Sequence, residues 1–400
     1  MLFQSFHSRA FLFLWLGQTI SRLGDSLHRI ALAWWVIEKT GSATTMGTVL
    51  IFSFAPMLIF LLIGGVAVDR LPRGRVMFAS DILRGFIVAI VATLAFAQTL
   101  QVWHIYIASI VFGFVDAFFQ PAYSAIVPEI VPRDALPSAN ALTSLSARIT
   151  GVAGPALGAS IVVFGGTPFA FAIDAATFFT SALCLIPIIR VATPAPEKSQ
   201  NVLRDLREGL ATVFASPWLW VTIGVFAIAN VALDGPISVA LAFLVKDYLQ
   251  SDVGGLGVLY SMSSLGSILA ALWLGRYKKI RRRGLLTYGA GILCGAMVFA
   301  IGLPITLVGA SIAILIFGFT TSFFGLIWTN TLQEMVPRDL LGRVTSIDML
   351  GSWVLLPMGY GLAGWLTDWI GAPNVFLIGG ALGAGLVALG LLHPQVRGLD

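Results

Sequence analysis

Residues 113–136 read GFVDAFFQPAYSAIVPEIVPRDAL, and residues 318–341 read GFTTSFFGLIWTNTLQEMVPRDLL. At a constant offset of 205 residues, the second stretch repeats Gly113, Phe114, Phe118, Phe119, Glu129, Val131, Pro132, Arg133, Asp134 and Leu136 of the first. Paired glycines and phenylalanines recur by chance between apolar segments. The polar string E-x-V-P-R-D-x-L does not, and it marks an internal duplication. Each copy is an apolar run that ends in a charged loop, the pattern of a helix leaving a membrane.

The composition around the two copies supports that solvent. Of 400 residues, 58% are hydrophobic and 11% charged, against roughly 25% charged in soluble domains. Mean hydropathy is +0.91. The net charge of +5 does not indicate nucleic acid, because the basic residues lie between apolar segments and not on one polar face. Cys184 and Cys294 both lie inside apolar runs and form no CxxC pair, so neither a disulfide framework nor a zinc site is expected. The first apolar stretch begins near Ala10, has no small-residue cleavage site and is too long for a signal core.

A helix of about 20 apolar residues crosses a bilayer. Such runs fall near 10–37, 46–68, 77–97, 104–127, 139–163 and 169–189, then 217–245, 254–275, 285–303, 305–332, 344–370 and 373–392. Alternating barrel patterning is absent, which leaves helices as the spanning option. An even number of spans separates the two repeat copies, so the copies share an orientation. The expected fold is an all-α integral membrane protein of twelve transmembrane helices in two parallel six-helix halves, 1–190 and 217–400, joined by a cytoplasmic linker, 191–216. With the N-terminus inside, cytoplasmic segments hold Arg9, Arg70, Arg73, Arg75, Arg133, Arg190, Lys198, Arg204, Arg207, Arg276, Lys278, Lys279, Arg281, Arg282, Arg283, Arg338, Arg343 and Arg397. The outer loops hold only Lys39 and Lys246. Both termini are therefore expected on the cytoplasmic side of a prokaryotic plasma membrane.

At residues 65–75 the chain reads GVAVDRLPRGR, which resembles the cytoplasmic signature between helices two and three of the major facilitator superfamily. Residues 151–158, GVAGPALG, resemble the helix-five motif of that family's antiporter-type exporters. The stretches with Leu14, Gly17, Gln18, Ser21, Gly24 and Asp25, with Phe171, Asp174, Ser181 and Ala182, and with Gly342, Arg343, Val344, Pro357 and Gly359 are similar to the branch that holds macrolide-efflux and enterobactin-exporter proteins. The resemblance covers essentially the whole chain and implies drug:proton antiport. An arginine common on helix four of proton-linked exporters is absent; that region reads FGFVD over 112–116.

The same residues have a physical reading. Gly65, Asp69, Arg70 and Arg73 form a short loop that can latch the cytoplasmic side on acidic helix ends, with Glu129 and Asp348 as candidate partners; the plainer reading is a positive-inside loop. Gly151, Gly154 and Gly158 allow close helix approach, and Pro155 favours a bend. Span one carries Gln18, Arg22, Asp25 and Arg29 at spacings of four, three and four, hence on one face, with Ser21 and His28 beside them. Charges at this depth cost at least a few kcal/mol and face the bundle interior or a wet cavity. Arg22 and Arg29 are both within helical reach of Asp25. The stripe is then either a self-neutralised structural cluster or a titratable carboxylate linked to transport, and the two readings stand side by side.

Asp116, Arg148 and Asp234 are further mid-span charges, with Gln120 one turn after Asp116 and Asn230 one turn before Asp234. Phe112, Phe119 and Tyr123 surround Asp116. They suit a large apolar or cationic substrate if they face inward and mean little if they face lipid. Asp81 and Arg84 are expected to pair near the inner end of span three, and Asp174 and Asp368 to lie near the outer surface, solvated or capping.

A nucleotide-driven pump needs G-x-x-x-x-G-K-[ST], which the sequence lacks. His7, His28, His104 and His393 are scattered, with no HExxH or GxSxG, so no enzyme, cofactor or metal centre is expected. The two-half repeat favours alternating access over a channel or scaffold. The expected function is export of small hydrophobic or amphipathic compounds by proton antiport, with Asp25 and Asp234 the leading proton carriers and Asp116 in reserve. A dedicated exporter of a siderophore or lipid-like metabolite is the alternative. The expected partners are a small-molecule substrate, protons and the lipid bilayer, with the protein monomeric.

Overall fold

The computed structural model describes residues 4–68, 70–189, 202–277, 280–337 and 340–400, and no strand occurs among them. Helix α1 (Arg9–Thr40) opens on Ser8, whose hydroxyl accepts from the Phe11 amide, and closes on Gly41. Helices α2 (Ala43–Val68), α3 (Arg73–Phe96) and α4 (Val102–Ile130) follow. Helix α5 (Leu136–Leu185) runs for 50 residues and is two spans, not one: Gly166 stands at φ 79°, a conformation that favours glycine. Contacts with α1 show the reversal there. Gly154 and Gly158 in the first limb meet Ser26 and Leu27, whereas in the second limb Thr177 meets Gly24 and Ser181 meets Gly17.

After α5 come α6 (Val202–Ala215), α7 (Pro217–Tyr248) and α8 (Val253–Leu274). The chain ends with α9 (Arg283–Ile301), α10 (Leu307–Met335), α11 (Leu341–Ile370) and α12 (Ala372–Gly390). Ten described helices have the length and apolarity to cross a bilayer. Because α5 supplies two of the spans, and α1 adds one whose charges break its apolar run, the chain has twelve.

The stretch 191–216, read from sequence as a linker, contains the helix α6. Its period is amphipathic: Val213 is buried with Leu219, Trp328, Leu332, Val336 and Val344, and Glu208 meets Arg343 at 2.5 Å. The polar composition of this segment hid a helix that needs only one apolar face.

Contacts divide the chain into two compact units. The first comprises Met1–Gly41, Thr48–Glu197 and Leu256–Ser261; the second comprises Ser42–Gly47, Lys198–Gly255 and Met262–Asp400. Within the second, Asp368 caps the start of α2: its carboxylate accepts from the Ala43 amide at 2.6 Å, the Thr44 amide at 2.9 Å and the Ser42 hydroxyl at 2.7 Å. Of the two roles expected for Asp368, the structure shows the cap.

The repeated glycines mark equivalent close approaches. A Cβ on Gly113 would lie 1.9 Å from the Ser53 carbonyl oxygen, and one on Gly318 would lie 1.9 Å from that of Ser263. No side chain fits at either point without moving α2 from α4, or α8 from α10. Gly113→Val and Gly318→Val are each expected to destabilise the protein by about 1–3 kcal/mol through overpacking, measured as denaturant unfolding of purified protein. A loss at only one of the two positions would show that the copies do not share this contact.

Candidate functional site

The polar stripe of α1 faces a cavity inside the first unit. The cavity measures about 290 Å³, and Gln18, Ser21, Arg22, Asp25, His28 and Arg29 all line it. Helix α4 supplies the opposite wall with Phe112, Asp116, Phe119, Gln120 and Tyr123, and α3 contributes Arg84. The aromatic residues around Asp116 therefore border the cavity.

The pairing inside the stripe differs from the expectation. Among the described residues, Asp25 forms no ion pair with Arg22 or Arg29. The charged groups whose fields reach Asp25 are Asp174, Arg84, Asp116 and His28. Arg22 lies 5.3 Å from the Tyr123 ring centroid and donates to the Thr143 carbonyl at 3.4 Å. Arg29 is exposed. Helical spacing brought the arginines within reach of Asp25, but Tyr123 and the open cavity draw them away from it.

Arg84 is the second correction. It stands twelfth in the 24-residue α3, midway along it and not at its inner end. Its partner is Asp116 on α4, at 3.0 Å, and not Asp81. The guanidinium is 5% exposed and lies 4.2 Å from the Phe119 ring and 5.7 Å from that of Phe178. Asp81 instead accepts from the Ser181 hydroxyl at 2.7 Å and from Gln18 at 3.4 Å, while Gln18 also donates to Ser181 at 3.0 Å. That network ties α1, α3 and the second limb of α5 together. The cavity thus has a mid-span guanidinium although α4 has no arginine, and its signal in the sequence was the depth of Arg84 in its span.

Asp174 is the third. It is 0% exposed, and its carboxylate lies 2.9 Å from His28 Nδ1; it is neither solvated nor near the surface. The His28 ring centroid lies 5.8 Å from that of Phe112 and 5.2 Å from that of Phe171. A Cβ on Gly24 would stand 2.6 Å from the Asp174 carboxylate, so the missing side chain lets α1 seat against this pair. His28 separates Asp174 from the cavity, a role that scattered histidines do not reveal in sequence.

In the helix-five motif, Gly154 and Gly158 meet α1 as described, Pro155 is buried behind them, and Gly151 is half-buried. Arg148 is half-buried on the same limb. In the second unit, Asp234 accepts from Tyr360 at 2.9 Å and from Ser238 at 3.1 Å, and Asn230 donates to the Ser352 carbonyl at 3.2 Å.

At the cytoplasmic signature, Arg73 pairs with Glu129. Arg70 is exposed, Gly65 is half-buried, and Asp69 lies outside the described residues. Asp348 accepts from the Trp328 indole at 3.0 Å. The second unit carries a counterpart of the first ion pair that the sequence reading passed over: Arg283 pairs with Glu334, which stands 205 residues after Glu129.

With the fold and this cavity in view, the chain belongs to the Major Facilitator Superfamily, whose profile matches residues 14–355. It is 24% identical over 406 residues to macrolide efflux protein A of Streptococcus pyogenes, covering 97% of this chain and 96% of that protein. Identity to the multidrug efflux pump Tap of Mycolicibacterium fortuitum is 28%, covering 94% of each. Identity to the enterobactin exporter EntS of Salmonella typhi is 28%, over 97% of this chain and 92% of the other. In fold it is similar to a crystallised POT family transporter, with a TM-score of 0.75 at 12% identity over 97% of each chain. The protein is a multi-pass membrane transporter.

The ion pair across the cavity wall has a measurable consequence. Arg84→Met strands Asp116 and is expected to lower stability by about 3–5 kcal/mol, whereas Arg84→Met with Asp116→Leu recovers most of that loss. Denaturant unfolding of the two purified variants checks this; equal loss in both would show that the pair is not what Arg84 contributes.

Proposed function

We propose that this chain exports small hydrophobic or amphipathic compounds from the cytoplasm across the bacterial inner membrane in exchange for protons, by alternating access. The observation that carries the reading is Asp25: a mid-span carboxylate on a cavity wall that no arginine pairs. A carboxylate held ionised by a fixed guanidinium is a poor carrier. One that faces water on one side and Asp174, Asp116, Arg84 and His28 on the other changes charge when a helix shift alters those neighbours. Substrate entering between the α1 stripe and the aromatic wall of α4 supplies such a shift. The names of the relatives, which are macrolide, multidrug and enterobactin exporters, support the direction of transport.

Asp234, bonded to Tyr360 and Ser238, is the corresponding carboxylate in the second unit. Arg73 with Glu129 forms the cytoplasmic latch of the first unit in this reading. In this reading both termini face the cytoplasm, which the bias of loop charges supports, and the working unit is the monomer.

Cells expressing the chain are expected to exclude compounds from a panel of macrolides, dyes and other amphipathic drugs. Asp25→Asn and Asp234→Asn preserve size and remove titration, and each is expected to lower uphill efflux by about 10-fold or more, the scale of a lost energetic coupling of 1.4 kcal/mol, with normal expression. If both variants sustain uphill efflux that still collapses with a protonophore, the proton travels elsewhere and Asp116 is the next residue to replace.

A further inference from the structure

Three guanidiniums line the first unit's cavity: Arg22, Arg29 and Arg84. Only Arg84 has a carboxylate partner, Asp116. Among the described residues, neither Arg22 nor Arg29 forms an ion pair, although Asp25 stands between them on the same helix face. The charges that act on Asp25 are Asp174, Arg84, Asp116 and His28 and include neither Arg22 nor Arg29. The wall that α1 offers to the cavity is therefore cationic at two points, two helical turns and about 10 Å of rise apart.

Arginines at membrane depth without an ion pair are satisfied by water in a cavity or by an anion. Guanidinium is also the side chain best matched to a planar oxyanion, because its N–H donors form a fork that meets carboxylate, sulfonate or phosphate oxygens. The neighbouring surface is aromatic: Tyr123 lies under Arg22 at 5.3 Å, and Phe112 lies beside His28. Such a wall attracts a flat apolar body and an attached negative charge together, and two cations without carboxylate partners repel a positively charged one. The only carboxylate on the aromatic wall, Asp116, is already neutralised by Arg84. This removes the feature that in sequence suggested a cationic substrate.

We propose that this cavity takes amphipathic organic anions, with the apolar body over Tyr123 and Phe112 and the oxyanion held by Arg22 and Arg29. The proposal rests on the reading of the cavity as the transport site and sets its substrate class. The same chemistry is available from a dissolved compound or from an anionic lipid headgroup.

The test uses one fluorophore in three charge forms: dansylglycine (anionic), dansylamide (neutral) and a dansyl trimethylammonium (cationic). Each is titrated against the full chain in phosphatidylcholine nanodiscs. Dansylglycine is expected to bind about 10-fold tighter than dansylamide, and the cation more weakly than either. Arg22→Gln and Arg29→Gln are each expected to weaken dansylglycine by about 10-fold and to leave dansylamide within about two-fold, with Arg22→Lys recovering part of the loss. Repeating the titration with phosphatidylglycerol in the disc separates the sources: a fall in dansylglycine affinity assigns the oxyanion to a lipid headgroup, and no change assigns it to a dissolved compound. Equal affinity for the three probes, binding of none, or loss of neutral and anionic binding together in the arginine variants overturns the proposal. Efflux of neutral or cationic drugs without anion preference would keep the export reading and reject this one, and anion binding without any efflux would do the reverse.

Discussion

The interior of the first unit depends on one guanidinium. Arg84 sits midway along α3, 5% exposed, between Asp116 and the rings of Phe119 and Phe178. Around it lie Asp25, Asp81 and Asp174, with His28 against the last. In an apolar bundle, acidic groups persist only where cations, hydrogen bonds or protons compensate them. Arg84 serves Asp116, the His28 ring lies against Asp174, and Asp81 draws on Ser181 and Gln18. Asp25 is left without an ion-pair partner among the described residues.

Glycine makes that arrangement possible. Gly24 admits the edge of the second limb of α5 to the His28–Asp174 pair, and Gly154 and Gly158 admit the first limb to the other side of α1. Helix α1 is thus clasped by both limbs of one hairpin that turns at Gly166. A helix held this way cannot slide alone, so any displacement that changes the neighbours of Asp25 moves α5 as well. The charges and the packing of α1 thus form one element.

Twelve spans, the duplication and the face shared by Gln18, Arg22, Asp25 and Arg29 were legible in the chain, because hydropathy and helical period are local properties. The pairing was not. Arg22 and Arg29 lie within helical reach of Asp25, yet Tyr123, 101 residues beyond Arg22, takes one of them and the open cavity takes the other. Asp81 is one turn from Arg84, yet Asp116 on another helix binds the guanidinium. Asp174 read as a surface residue because it stands early in its span, and the close seat of α1 at Gly24 shows that it is buried. Partners across helices depend on packing that a single sequence does not encode locally. The exception is Glu129, expected as a partner of the 65–75 loop and paired with Arg73; its repeat counterpart Glu334 and the pair with Arg283 went unread.

We propose that a proton leaves this cluster when substrate arrives. The direct measurement is proton release on binding, read with a pH indicator in weakly buffered detergent solution, using the purified chain and the panel compound it exports best. The account predicts a fraction of one proton, up to about one, released per compound bound by the wild type, and none by Asp25→Asn. No release from the wild type, or undiminished release from Asp25→Asn, would contradict it.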